Sequence, residues 1–461
     1  VSRNESTAGS LPHALAGGLH LDHYGGDRLP FVSLGARGVR MRLAEGDDHP
    51  AAREPFEVID ASGGYASACL GAAHPTVHAA LSRAVTELGY ATDEVEVAER
   101  TRLLSELFGP DGLWCDRFPA GDFHVAGRNS GSEGMELAMR LVLESRFDRR
   151  RLRPDPERGG RDLILAFEGA WHGWTGGLTL LLNRRHFRVG LPRIADTGAY
   201  GVKAEFLPFG ALEPLREFFA RAGDRVLAVV VEPVQGDAGL LVPPPGYLRA
   251  LAELAAGHGA LLVADEVLTF AKTGAFFAMT DELGPIPADI TVIGKSLGMG
   301  ALSTAMVIAR RWLGIRPSGA VATSDLRPLT CAVIRDGLRL IVAEKLLERS
   351  AALAERLAGL LESEVLDRFP QVYRASRGIG LLHGLELTED AAGRLPGLRR
   401  HIIRAGCYVE FMAGAGHRSH DLPYIFPTMR VAPPLVVTEA ESDEIVSAIQ
   451  RGTAAFLEAR R

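Results

Sequence analysis

Residues 226–300 constrain the fold more than any other stretch of this chain. Three short apolar runs, Val226–Val231, Ala260–Ala264 and Ile290–Ile293, are rich in Val, Ile and Leu and do not alternate. Runs of that length and composition read as strands buried on both faces. Between the first two lies a helical pattern over Gly246–Ala256, with Leu248, Leu251, Ala252 and Ala255 on one face. Strand, helix, parallel strand is the unit of an α/β sheet.

Polar residues stand at the ends of these runs. Asp265 and Glu266 follow the second, and Lys295 follows the third. Ligands of open α/β sheets bind outside the carboxyl ends of the strands, so Asp265 and Lys295 are expected to face one crevice. A desolvated lysine there is an amine nucleophile or Schiff-base former. An aspartate beside it suits the pyridinium nitrogen of pyridoxal phosphate. On these two residues alone, a strand-end salt bridge is the competing reading.

Four ordered elements surround them: Glu232-Pro233-Val234-Gln235-Gly236-Asp237, Pro244-Pro245-Gly246-Tyr247-Leu248, Asp265-Glu266-Val267 and Gly294-Lys295-Ser296-Leu297. In order and spacing they resemble the class III, fold-type-I pyridoxal-phosphate aminotransferases. The resemblance runs over most of the chain from about Phe31. It implies an α/β fold with a large domain, built on a mostly parallel seven-stranded sheet between helices, and a smaller α+β domain from both chain ends. The corresponding segments are 1–85 (arm and part of the small domain), 86–345 (large cofactor domain) and 346–461 (C-terminal small domain). It also implies pyridoxal 5′-phosphate as cofactor and a homodimer with shared active sites.

Bulk properties agree with a large enzyme. The 461 residues, 47% of them hydrophobic, suffice for a large core and a smaller lobe. A net charge of -6 gives no reason to expect a nucleic-acid partner. The four cysteines are far apart and form no metal-like cluster, which reads as a reduced, cytoplasmic protein. No apolar run has the length of a membrane span, and the first residues lack a secretory apolar core.

Residues 1–30 read as an arm or short helix on a neighbouring subunit. Phe31–Leu43 and Phe56–Ile59 read as short strands, followed by a helix from Pro75 to about Leu88 and an amphipathic helix over 94–108. By resemblance, the loop carrying Tyr90, Ala91 and Thr92 lines the substrate entrance; an ordinary helix-start loop with Thr92 or Asp93 as cap is the other reading. A strand over Phe123–Gly127 leads to Ser130-Gly131-Ser132 and a helix to about Glu144. Small residues at a helix N-terminus expose N–H groups and a positive dipole end to a phosphate. The arginines of 149–162 are interleaved with acids and lack aromatics, so that segment is a solvated loop.

A strand over Asp162–Phe167 precedes Trp171 and His172, which match the family's aromatic-His-Gly element, with the aromatic stacked on the cofactor ring. Glu232 belongs to the EPxQG element, and Val267 matches the residue on the other face of the ring. Leu268 replaces the glutamine common in the family, and Thr269–Gly274 lacks one of its glycines. The Leu268 change, Gly294-Lys295 and the N-terminal layout resemble the glutamate-1-semialdehyde aminomutase branch. Thr323 matches the threonine that reaches the phosphate of the partner subunit's cofactor; a plain turn residue is the alternative.

Leu338 to Leu366 reads as one long or two consecutive helices, and residues 376–387 and 429–449 as the C-terminal lobe. There Arg430 matches the family's α-carboxylate clamp, with Asp237 as the acid that swings it in and out; a structural ion pair is the bland reading. Arg377 reads as structural. His401, His417 and His420 are not spaced as metal ligands.

The implied reaction is amino transfer from an amino-acid donor, L-glutamate first, to a ketone or aldehyde. Lys295 would hold the cofactor and shuttle the proton, and Asp265 would keep the ring nitrogen protonated. The altered motifs point to a specialised acceptor, such as an oxo-sugar or aminoglycoside-type intermediate of secondary, antibiotic-type metabolism. An aminomutase or amino-group epimerase is the alternative, since the same lysine chemistry can run within one molecule.

Overall fold

The computed structural model describes residues 29–45, 54–92, 94–148, 150–151, 153–184, 199–314, 321–412 and 426–459. Most of the expected N-terminal arm, Asp93, His417 and His420 lie outside the described residues.

Strands β1 (Phe31–Arg37), β2 (Arg40–Glu45) and β3 (Phe56–Asp60) open the chain. The expected run Phe31–Leu43 is in fact a hairpin, turned at Gly38 with φ +56°, a left-handed value that favours glycine. Helices α1 (Pro75–Arg83) and α2 (Ala98–Phe108) follow. Here too the expected helix is shorter: its last residues, Ala84–Leu88, widen into a π-turn that ends at Gly89.

The centre comprises β4 (Phe123–Arg128), α3 (Gly131–Glu144), β5 (Leu163–Phe167), β6 (Lys203–Leu207), α4 (Leu212–Ala222), β7 (Val226–Val231), α5 (Tyr247–Gly257), β8 (Leu261–Glu266), β9 (Ile290–Ile293) and β10 (Ala305–Arg310). Its seven strands form one sheet in the order β4-β10-β9-β8-β7-β5-β6. Only β10 runs against the others. Every residue of β5, β7, β8 and β9 is buried, as non-alternating apolar runs require.

Helices cover both faces of that sheet. Met135, Ala138 and Val142 of α3 share a core with Ile164, Val230, Val263 and Val292. Phe218 and Phe219 of α4 and Leu251 of α5 share another with Leu165, Val229 and Leu262. Each such side chain contributes about 1.5–3 kcal/mol when fully buried, so the layers hold the strand ends rigidly.

Helices α6 (Pro328–Ala343) and α7 (Leu346–Leu361) lead out of the sheet. The helical stretch thus starts at Pro328 rather than Leu338, with proline in the first turn, where its missing N–H has no intrahelical partner. It is two helices, broken at Lys345 (φ +51°). Then come β11 (Tyr373–Ile379), β12 (Leu382–Leu387), α8 (Leu395–Arg404), β13 (Cys407–Tyr408), β14 (Glu410–Met412), β15 (Thr428–Val431) and α9 (Glu439–Glu458), the last opened by a Thr438/Glu441 capping box.

Strands β11-β12-β15-β14 make a four-stranded antiparallel sheet, and β1-β2-β3-β13 a four-stranded mixed one. In the latter, β13 pairs parallel to β3, joining the two ends of the chain. Among the described residues, no helix is long and apolar enough to cross a membrane.

Candidate active site

Parallel pairing sets the site. Asp265 lies opposite Val292 and Glu266 opposite Ile293, so β8 and β9 end together at one edge of the sheet. Asp265 is the penultimate residue of β8. Lys295 follows β9 after one glycine and takes φ +42°, a left-handed backbone that costs a side-chain-bearing residue about 1 kcal/mol. Both open on a cavity of about 310 Å³.

Most expected site residues line that cavity: Ser130, Gly131, Ser132, Trp171, His172, Glu232, Asp237, Asp265, Val267, Lys295 and Arg430. Two do not. Tyr90 lies outside it and is 79% exposed. Thr323 is exposed in the loop before α6, where its carbonyl accepts from Arg327 Nε at 3.0 Å.

Two contributors to the wall, Tyr65 and Met412, were not expected from the sequence. Tyr65 stands on a turn of consecutive left-handed residues, held by Asp60 Oδ1, which accepts from Ser62 and Gly63 N–H at 2.9 and 3.1 Å. Met412 adds apolar surface, as does Leu268, which stands where the family commonly has glutamine. The Gly-Gly pair at 63–64, where left-handed turns are easy, was the only hint of Tyr65.

Asp265 is fixed from two sides. Its Oδ1 accepts from the Val267 N–H at 3.1 Å, and its Oδ2 is 2.8 Å from His172 Nδ1. Burial opposes a charge on His172, but the hydrogen bond to Asp265 and the charges of Asp265 and Glu232 raise its pKa on balance. Glu232 accepts from Trp171 N–H at 2.9 Å, and burial pushes its carboxyl up to about 7. Burial, then the charge of Arg430, pushes Lys295 down to about 8. Its amine is therefore partly neutral near neutral pH and able to act as nucleophile or base.

The arginines are arranged differently from expectation. Among the described residues, no ion pair joins Asp237 to Arg430. Asp237 is ion-paired with Arg184, a fully buried residue whose Nη1 also donates to the Asp237 carbonyl at 3.1 Å. Arg430 is instead ion-paired with Glu410, and both are buried. The reason is register: Glu410 and Arg430 are direct cross-strand neighbours on β14 and β15, so their side chains share a face. The Arg430 guanidinium also lies 5.9 Å from the Tyr65 ring. Arg377 is tied to Gly239 O and Glu386, a structural role.

These residues fit pyridoxal phosphate. The N-terminus of α3, capped by the Ser130 side chain on Glu133 N–H, turns its positive dipole end to the cavity, where an anion would be favoured. A Cβ on Gly131 would come within 2.6 Å of Val267 Cγ1, so the cradle there is closed to side chains. Lys295, Asp265 and the Trp171 indole supply an amine, a carboxylate and an aromatic plane in the same cavity.

The family model for aminotransferase class-III matches residues 48–452. The mitochondrial ornithine aminotransferase of Oryza sativa subsp. japonica is 31% identical over 356 residues, 73% of this chain and 67% of that protein. Ornithine aminotransferase 2 of Staphylococcus saprophyticus is 28% identical over 433 residues, covering 92% and 94%. Among solved structures, the ornithine aminotransferase of Toxoplasma gondii superposes with a TM-score of 0.77 at 24% identity, over 97% of this chain and 94% of that one. The acetylornithine aminotransferase of Elizabethkingia anophelis gives 0.72 at 22%, over 96% and 98%.

Proposed function

This chain belongs to the class-III aminotransferase family, with pyridoxal 5′-phosphate as cofactor, and on that premise we propose that it takes an amino group from L-glutamate and passes it to a carbonyl acceptor. The observation that carries the donor is Arg430, a buried guanidinium in the wall of the cavity that holds Lys295 and Asp265. A planar, doubly donating cation there suits an amino-acid carboxylate.

When bound, pyridoxal phosphate supplies an electron sink for charge developing on the carbon that carries the amino group. The α3 N-terminus with Ser130, Gly131 and Ser132 receives the phosphate. Asp265, held by His172 and the Val267 N–H, keeps the ring nitrogen protonated. Trp171 and Val267 shield the ring from water. Neutral Lys295 amine accepts a proton from the substrate carbon and returns it.

An incoming carboxylate has to replace Glu410 at Arg430. The relatives' names, ornithine and acetylornithine aminotransferase, favour amino-acid substrates that carry a carboxylate. None of them supports the oxo-sugar acceptor or an antibiotic pathway. Thr323 and Tyr90, exposed and outside the chain's own cavity, are read as contributions to the partner subunit's site in a homodimer.

The deciding experiment is the visible absorption spectrum of the purified protein before and after L-glutamate, with no acceptor present. Loss of the bound-cofactor band with release of 2-oxoglutarate is expected. A band that glutamate leaves unchanged would exclude glutamate as donor and favour the aminomutase or epimerase chemistry.

A further inference from the structure

Behind Asp265 stand two more buried ionisable side chains. His172 is 2% exposed and meets Asp265 Oδ2 through Nδ1, at 2.8 Å. Its other ring nitrogen, Nε2, is buried and has no hydrogen-bond partner among the described residues. Glu232, 6% exposed, is clamped beside it. One carboxylate oxygen accepts from Trp171 N–H, on the residue preceding His172, at 2.9 Å; the other accepts from Gly236 N–H at 3.4 Å. Among the described residues, the charges of His172, Asp265 and Arg184 act on Glu232, and Glu232 in turn acts on Lys295.

A charge count makes this arrangement informative. Besides the neutral Val267 N–H, Asp265 serves two donors that can carry charge, the His172 ring and, on the cofactor reading above, the protonated ring nitrogen. If both are cations, one carboxylate is left to balance two positive charges in a dry site, which is costly. Glu232, held on the backbone N–H next to His172, removes the deficit when it is ionised, and burial sets that ionisation at about 7.

We propose that Glu232 is a positioning residue that acts through His172: its carboxylate keeps His172 an imidazolium, and His172 keeps Asp265 oriented toward the cofactor ring. The three residues come from different strand ends, those of β5, β7 and β8, so the sheet edge itself assembles the chain. Nothing is oxidised or transferred to carbon; the only species at stake is the proton on the imidazole. The inference rests on the cofactor reading, but it concerns a group that no substrate needs to touch.

The test is nitrogen NMR of the holoenzyme with ¹⁵N-labelled histidine, the His172 signal being assigned as the one lost in H172Q. In the wild-type protein His172 is expected to be doubly protonated near neutral pH. In E232Q its midpoint should fall by about one pH unit, the lower end of what a nearby opposite charge supplies, while E232D should keep it near the wild-type value.

The visible cofactor band, titrated in parallel, should move in E232Q but not when E232Q is added to H172Q. kcat should fall in E232Q with the KM for the donor unchanged. A neutral His172 near neutral pH in the wild-type holoenzyme overturns the proposal, and that measurement does not depend on any Glu232 variant folding. So does an E232Q midpoint equal to the wild type. Absence of any visible band would instead refute the cofactor reading, so the two failures are distinguishable.

Discussion

Lys295 and Lys272 are both enclosed lysines, and burial pushes each down to about 8. Only Lys295 opens on the cavity; Lys272 donates to the Pro433 carbonyl at 2.8 Å and bolts the loop after β8 to the segment after β15. Lys295→Ala should therefore abolish turnover and the visible band, whereas Lys272→Met should keep the band and lower Tm. The sign of the Lys295 shift gives a pH dependence. Below about 8 the amine is mostly charged and cannot attack an aldehyde, so cofactor uptake by the cofactor-free protein should rise with pH and level off above about 8. A rise continuing to the ordinary lysine value of 10.5 would contradict this. The two acids separate in the same way. Glu410→Gln removes the competitor for Arg430 and should lower the KM for glutamate several-fold. Asp237→Asn removes the charge beside buried Arg184 and should cost about 3 kcal/mol of stability, the lower end for a broken buried pair because Asp237 is a quarter exposed. Strand-end residues such as Asp265 and Lys295 were legible in the sequence because the α/β architecture dictates where strands finish. Glu410 was not, because its meeting with Arg430 depends on the pairing register of two strands separated in the chain. Arg184 carried no local signal at all.

Single elements aim these residues. Helix α3 presents its first turn to the cavity, and Gly131 packs against Val267 with no room for a methyl group. Gly131→Ala should push Val267 out of place and weaken cofactor retention about tenfold, near 1.4 kcal/mol, with far-UV circular dichroism unchanged; retained cofactor at wild-type affinity would show that the contact yields freely. The loop after β8 is held from behind. Glu266 accepts from Thr269 Oγ1, Ala278 N–H and Met279 N–H at 2.7, 2.7 and 2.9 Å, and Trp114 meets Phe270, Phe276 and Phe277 edge-on at 5.1–5.8 Å. Trp114→Ala should cost about 3–5 kcal/mol, read by chemical denaturation, and loosen Val267 and Leu268 along with the loop. Elements made of unbroken apolar runs were visible beforehand, because burial on both faces leaves little choice of residue. The π-turn over Ala84–Leu88 was not, and the start of α6 was overlooked although Pro328 in its first turn is a local signal for it.

On the scale of the whole molecule, the cavity joins residues from both lobes: Lys295 and Asp265 from the large sheet, Arg430 and Met412 from the C-terminal one, Tyr65 from the N-terminal segment. The general plan was readable because the strand-helix rhythm of 226–300 admits few sheets; how the chain ends close over it was readable only by resemblance. Those ends carry a consequence for synthesis. Strand β3 has β2 on one side, and on the other only β13, made roughly 350 residues later. While the ribosome works through the intervening chain, the N-terminal hairpin exists with an open hydrogen-bonding edge, the kind of edge that recruits stray strands. A chain halted after Arg404 should accordingly yield β1–β3 to protease while the seven-stranded sheet resists, and the full chain should protect both. A strand made near the end of synthesis is thus what shelters one made near its start, so the hazard of misassembly is concentrated in the interval of translation itself.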